Sequence, residues 1–139
     1  PLRTEQAGRD VVPSQSPASI DERLERVTTL RFAQETLAAA LELLSADIGV
    51  PIELDGPALQ AEGITKNQSF GLDLSNRPAG EILLEVVRRA NPDKAATSAA
   101  DARQKLVYLV DVAQQKIIVT TRTAADRHGQ PLPQVFRGR

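Results

Sequence analysis

Cysteine, methionine and tryptophan are all missing from this 139-residue chain, which holds one histidine, one tyrosine and three phenylalanines. Without cysteine there is no disulfide, no thiolate nucleophile and no Cys-ligated zinc, and the redox compartment stays open. With aromatics at 3%, the core falls to Leu, Ile, Val and Ala, and nucleic-acid recognition through stacked rings has little to work with. An excess of one charge is lacking too. The 17 basic and 18 acidic side chains leave a net charge of -1, not the footprint of a protein that neutralises a phosphate backbone. Apolar runs such as Val107 to Val110 fall far short of the roughly 20 residues of a membrane span, so no insertion by this chain is expected. Pro1 rather than Met stands first and no leader-like segment opens the chain, so the expectation is a piece of something longer.

What is present is a pattern written twice. Leu30, Phe32, Leu37, Ala40, Leu41, Leu44 and Ile48 recur 42 residues later as Leu72, Leu74, Ala79, Ile82, Leu83, Val86 and Ala90. In each copy the first two positions alternate as one face of a strand, and the other five fall at i, i+3, i+4, i+7 and i+11, the stripe of an amphipathic helix. Two copies are too few for a stacked repeat array, which needs at least three. The spacing therefore describes pseudosymmetry inside one module.

Along the chain, residues 1–18 mix Pro, Ser, Gln, Gly and scattered charge without periodicity and read as a flexible linker. Ser19 with Glu22 fits a capping box, which starts a short helix from Ile20 to about Arg26. A strand over Val27 to Ala33 precedes a helix from about Glu35 to Ile48, which Gly49 and Pro51 stop. Val50 to Leu54 reads as a second strand, broken at Asp55-Gly56-Pro57 before a helical turn over Ala58 to Ala61 that ends at Gly63. Ser69 to Leu74 reads as a half-buried strand, and Pro78 opens a helix that Asn91-Pro92 stops at Ala90. Residues 91–105 form a polar loop. Leu106 to Val112 and Ile117 to Arg122, apolar on both faces, read as a hairpin within a covered sheet. The tail over 123–139, with Pro131, Pro133 and three arginines, reads as a flexible exit. The fold class is α+β: a βαββαββ module over 19–122, with two amphipathic helices packed on small mixed sheets and a short extra N-terminal helix.

No chemistry-bearing constellation stands out, so no catalytic, cofactor-binding or metal-binding residue is assigned. His128 has no second ligand or positioned carboxylate near it in sequence and reads as a solvated tail residue. Asp47, Glu53 and Asp55 lack the ligand alternation of a calcium loop and read as a polar rim. Ser45, Ser69 and Ser75 have no base within a structured segment. Gly49, Gly56 and Gly63 take turn or cap roles, while Gly71 marks a bulge or a close approach inside its strand. The KH-type GXXG loop is missing, which leaves no nucleic-acid partner. Arg88, Arg89, Lys94 and Arg103 form a basic rim suited to a helix C-terminus. An exposed sheet edge, at Thr120 and Thr121 or at Thr28 and Thr29, is the candidate for partner binding by strand addition.

Four phrases carry a family resemblance: Thr36 to Leu44 (TLAAALELL), Val50 to Ile64 (VPIELDGPALQAEGI), Phe70 to Leu74 (FGLDL) and Leu106 to Thr121 (LVYLVDVAQQKIIVTT). Together they resemble the short N-terminal domain shared by secretins and TonB-dependent receptors, the STN domain, over about Val27 to Thr121, and more closely its copies in large uncharacterised bacterial proteins. The resemblance implies a small docking module rather than an enzyme, placed in the bacterial cell envelope or periplasm, with a protein partner. Self-assembly into a ring, or binding of a small ligand or glycan, are the alternatives. The chain departs from the family in its loop around Asp93 to Gln104 and in having no barrel sequence after the domain.

Overall fold

The two copies of the strand-and-helix pattern fold onto each other. In a computed structural model that describes residues 17–65 and 67–137, strands β1 (Val27–Thr36) and β3 (Ser69–Pro78) form a two-stranded antiparallel ribbon. Helices α2 (Leu37–Ile48) and α4 (Ala79–Ala90) follow them and pack against one another. Each element of the first copy starts and stops 42 residues before its counterpart. Cross-strand register keeps the same relation: Leu30 faces Leu74, Phe32 faces Leu72, and Arg31 faces its own counterpart Asp73. A local two-fold pseudo-axis therefore runs between Arg31 and Asp73. The register shifts between Thr28 and Leu30 and between Phe32 and Glu35, and the pseudo-axis relates the two irregularities to each other.

A two-stranded ribbon is marginal alone, and burial of the helix stripes stabilises this one. Leu37, Ala40, Leu41, Leu44 and Ile48 of α2 meet Ala79, Ile82, Leu83, Val86 and Ala90 of α4 in one core with Leu30 and Leu72. Both strands run past the ends expected at Ala33 and Leu74. Their last residues are polar, and only pairing with the distant copy makes them extended. Thr36 then caps α2, its Oγ1 accepting the Ala39 N–H at 3.1 Å, and Pro78 sits at the N-cap of α4 rather than inside its first turn.

Helix α1 (Pro17–Glu25) begins before Ile20 and lies on α4. Ile20 is buried, and the absence of a side chain at Gly80 admits the Leu24 carbonyl, which would stand 3.3 Å from a Cβ there. Arg23 donates from Nη1 to the Ile48 carbonyl at 2.8 Å, so a cation satisfies the C-terminus of α2 beside Gly49, whose φ is 72°. The linker expected over 1–18 gives way to α1 at Pro17 and Ala18, and Ser19 lies inside that helix rather than at its N-cap; residues 1–16 are outside the described residues.

The second sheet has the order β2-β5-β4. Strand β2 (Ile52–Leu54) runs parallel to β5 (Lys116–Thr121), and β4 (Leu106–Asp111) closes an antiparallel hairpin with β5. Leu106, Val107, Tyr108 and Leu109 are all buried, as strands apolar on both faces require. Helix α3 (Gly56–Ala61) is longer than the single turn expected, because Asp55 caps it by accepting the Ala58 N–H at 3.3 Å.

Two expectations need correction or refinement. The C-terminal segment described to residue 137 is no flexible exit: it holds helix α5 (Arg122–Arg127) and a 3-10 turn, Gln134–Phe136. Phe136 is fully buried and meets Tyr108 edge-to-face, ring centroids 5.2 Å apart. The prolines that suggested mobility instead hold a turn that delivers this ring. Residues 91–105 are without helix or strand, as expected, yet closely tied. Asn91 is buried, donates to the carbonyls of Asp93 and Arg103, and accepts the N–H groups of Lys105 and Leu106. Arg122 completes the tie through carbonyls on both segments: Ala99, Asp101 and Gln104 in the loop and Phe136 beyond it. Burial pulls the Arg122 guanidinium below its ordinary pKa, against the pull of Asp101. Among the described residues no helix is long and apolar enough to cross a membrane.

Candidate functional site

An antiparallel ribbon of two strands uses half of its backbone groups on the inner ladder and turns the other half outward. The Ala79 N–H bonds the Arg26 carbonyl across that ladder at 2.9 Å, which sets the phase on β1. Thr28 and Leu30 therefore face inward, and the backbone N–H and C=O groups of Thr29 and Arg31 face the outer edge. On β3 the Leu37 N–H to Gln68 carbonyl bond, also 2.9 Å, sets the phase in the same way and turns Gly71 and Asp73 outward.

The two outer edges are not equivalent. On β3, Arg89 reaches across and donates from Nη1 to the Gly71 carbonyl at 3.4 Å, while also holding Glu85 at 3.0 Å. On β1, among the described residues, no side chain bonds an outward backbone group and no strand pairs with the edge. Thr28 and Thr29, the sequence candidates for an edge, lie here. Their hydroxyls are engaged, Thr28 donating to Asp47 Oδ2 and Thr29 accepting the Asn76 N–H at 3.2 Å, which leaves the backbone edge as the open feature.

Side chains along β1 sort by face. Leu30 is buried and Phe32 half-buried against the helices, with Phe70 tilted beside Phe32 at 5.9 Å between ring centroids. Val27 at 58% exposure, Thr29, Arg31 and Ala33 point to solvent. A shallow groove of about 450 Å³ bordered by Arg31, Phe32, Ala33, Leu72 and Asp73 spans the two strands where Arg31 faces Asp73. Arg31 Nε pairs with Asp73 at 2.9 Å on the open face. The exposed pair contributes about 0–1 kcal/mol, so its main effect is on register and on partner choice. Close packing at Gly71, foreseen from the sequence, is visible as the Ala33 carbonyl, which would stand 2.7 Å from a Cβ at that position.

The remaining sequence candidates have structural partners instead. Thr120 and Thr121 lie on β5, the central strand, so they form no edge; Thr120 donates to Asp55 Oδ2 at 2.9 Å and Thr121 accepts the Ala124 N–H. Asp47, Glu53 and Asp55 do not converge: Asp47 takes the Thr28 hydroxyl, Glu53 pairs with Lys116 at 2.9 Å, and Asp55 serves α3 and Thr120. Ser45 donates to the Val50 carbonyl and Ser69 accepts from Gln34. His128 is exposed at the end of α5, bordering a small groove with Asp55 and Glu62. Among the described residues no group of three His, Asp or Glu side chains could hold a metal ion.

The basic rim is partly assembled. Arg88, Arg89 and Lys94 line one pocket, whereas Arg103 is turned to Asp101 at 2.8 Å. The Arg103 guanidinium, with backbone N–H groups from Arg103 and Thr97, holds the Asp101 carboxyl well below the usual carboxylate range. The sequence reading missed the tie at Asn91, Gln104 and Arg122. Its only signal is a cluster of amide and guanidinium side chains at the loop ends, which reads equally well as solvated polarity. Comparison with protein-family models, with curated proteins and with solved structures finds no match to this chain.

Proposed function

We propose that this chain is a non-enzymatic docking module that captures an extended segment of a partner protein by strand addition to the outer edge of β1. The observation that carries the proposal is a ten-residue strand, held rigidly by helices on one face and unpaired along its outer side among the described residues. Backbone groups at Thr29 and Arg31 provide the hydrogen bonds. Side chains of the incoming strand alternate between the helix-packed face that carries Phe32 and the solvent face that carries Arg31 and its groove, which favours a segment alternating apolar and polar residues. The register shift after Phe32 limits the usable edge to its N-terminal half. The resemblance to the STN domain supports a place for this module in a larger protein of the bacterial cell envelope.

Peptides selected against the chain from a random display library provide the test. Methylation of backbone nitrogens at alternate peptide positions is expected to abolish binding, and at the intervening positions to leave it intact. Equal tolerance at every position, or turnover of a substrate by the isolated chain, contradicts the proposal.

A further inference from the structure

Where α4 runs into the loop over 91–105, one charged group has no structural task. A pocket of about 240 Å³ is lined by three cations, Arg88, Arg89 and Lys94, and by two carboxylates, Glu85 and Asp93, together with the amides of Asn91 and Gln104. Arg89 serves Glu85 and Gly71, and Lys94 donates to the Arg89 carbonyl at 2.6 Å. The amides of Asn91 and Gln104 bond backbone, and Asp93 Oδ1 accepts the Ala95 N–H. Arg88 differs: its Nε is buried and has no hydrogen-bond partner among the described residues. A guanidinium stays charged at any physiological pH, and an unpaired buried donor on it calls for a ligand or an ordered water. Helix-end electrostatics accounts for Lys94, which bonds a last-turn carbonyl, but not for an Arg88 Nε that bonds none.

We infer that this pocket binds an oxyanion, a phosphate or carboxylate group, with Arg88 as the principal donor. The guanidinium fork offers paired N–H groups suited to such an anion, and Lys94 adds a second positive charge. This inference is independent of strand capture at β1.

Titration of the full ¹⁵N-labelled chain with sodium phosphate and, separately, sodium acetate tests it, each against sodium chloride at matched ionic strength. The signals to follow are the Arg88 Nε–H and the amides of Asn91 and Ala96. Saturable shifts with phosphate, acetate or both are expected, and the tighter of the two identifies a tetrahedral or a planar oxyanion. Arg88→Gln is expected to abolish saturation, Lys94→Gln to weaken it several-fold, and Arg127→Gln, on α5, to leave it unchanged. Linear drift with both salts overturns the inference. So does an unaltered titration in Arg88→Gln or, should that variant fail to fold, in Lys94→Gln.

Discussion

Gly71 and Gly80, the counterparts of Thr29 and Ala38 in the first copy, each mark a place where backbone comes close, and the two differ in degree. A methyl group at Gly71 meets the Ala33 carbonyl at 2.7 Å on the inner side of the ribbon, where neither strand can give way without losing register. Gly71→Ala is expected to lower unfolding free energy by about 1–3 kcal/mol. At Gly80 the Leu24 carbonyl would lie 3.3 Å away, and the helix propensity of Ala offsets up to about 1 kcal/mol, so Gly80→Ala is expected to cost less. Urea denaturation followed by circular dichroism ranks the two. Asn91→Ala, which leaves the N–H groups of Lys105 and Leu106 without an acceptor, is expected to cost about 2–3 kcal/mol in the same experiment. Tyr108, the only tyrosine, supplies a titration. Burial raises its pKa above the ordinary value of 10.0, so the folded state favours the neutral phenol. Its contribution to stability is intact below pH 10 and is lost as pH climbs through the higher folded value. Phenolate absorbance is expected to appear at higher pH in the native chain than in the urea-unfolded one.

At the scale of elements, the sequence was most legible where periodicity and stop chemistry agree. Helix α2 ends at Ile48 because Gly49 takes positive φ, helix α4 ends at Ala90, and the hairpin of β4 and β5 follows its two apolar runs. Legibility failed where long-range pairing or packing decides. The polar ends of β1 and β3 are extended only because each has the other beside it. The C-terminal segment looked unstructured because its apolar residues, the fully buried Phe136 and the half-buried Leu132, are scattered among prolines and polar residues without periodicity, and nothing local shows that Tyr108 awaits Phe136. Phe136→Ala is therefore expected to cost about 3–5 kcal/mol. Collisional quenching of Tyr108 fluorescence reads the same event: the variant is expected to be quenched more readily than the parent, whereas equal quenching would mean the segment packs without that ring.

For the molecule as a whole, the 42-residue recurrence has a structural consequence that the sequence alone did not reveal. Two antiparallel copies related by a pseudo-axis satisfy each other along their inner edges and necessarily leave two outer edges. The pseudosymmetry breaks at those edges, since Arg89 covers Gly71 on β3 while its counterpart, Asp47, takes the Thr28 hydroxyl and, among the described residues, nothing covers the backbone edge of β1. Of the two edges proposed from threonine pairs, only the one at Thr28 and Thr29 survives, because strand order places Thr120 and Thr121 at the centre of the other sheet. The open β1 edge is the basis of the docking proposal. Its most direct test is residue-resolved amide hydrogen exchange on the full chain, with and without a selected peptide. Strand addition slows exchange at the amides of Thr29 and Arg31 and leaves β2 and the β4–β5 hairpin unchanged; protection confined to β2 or β3, with Thr29 and Arg31 unaltered, rules out docking at this edge.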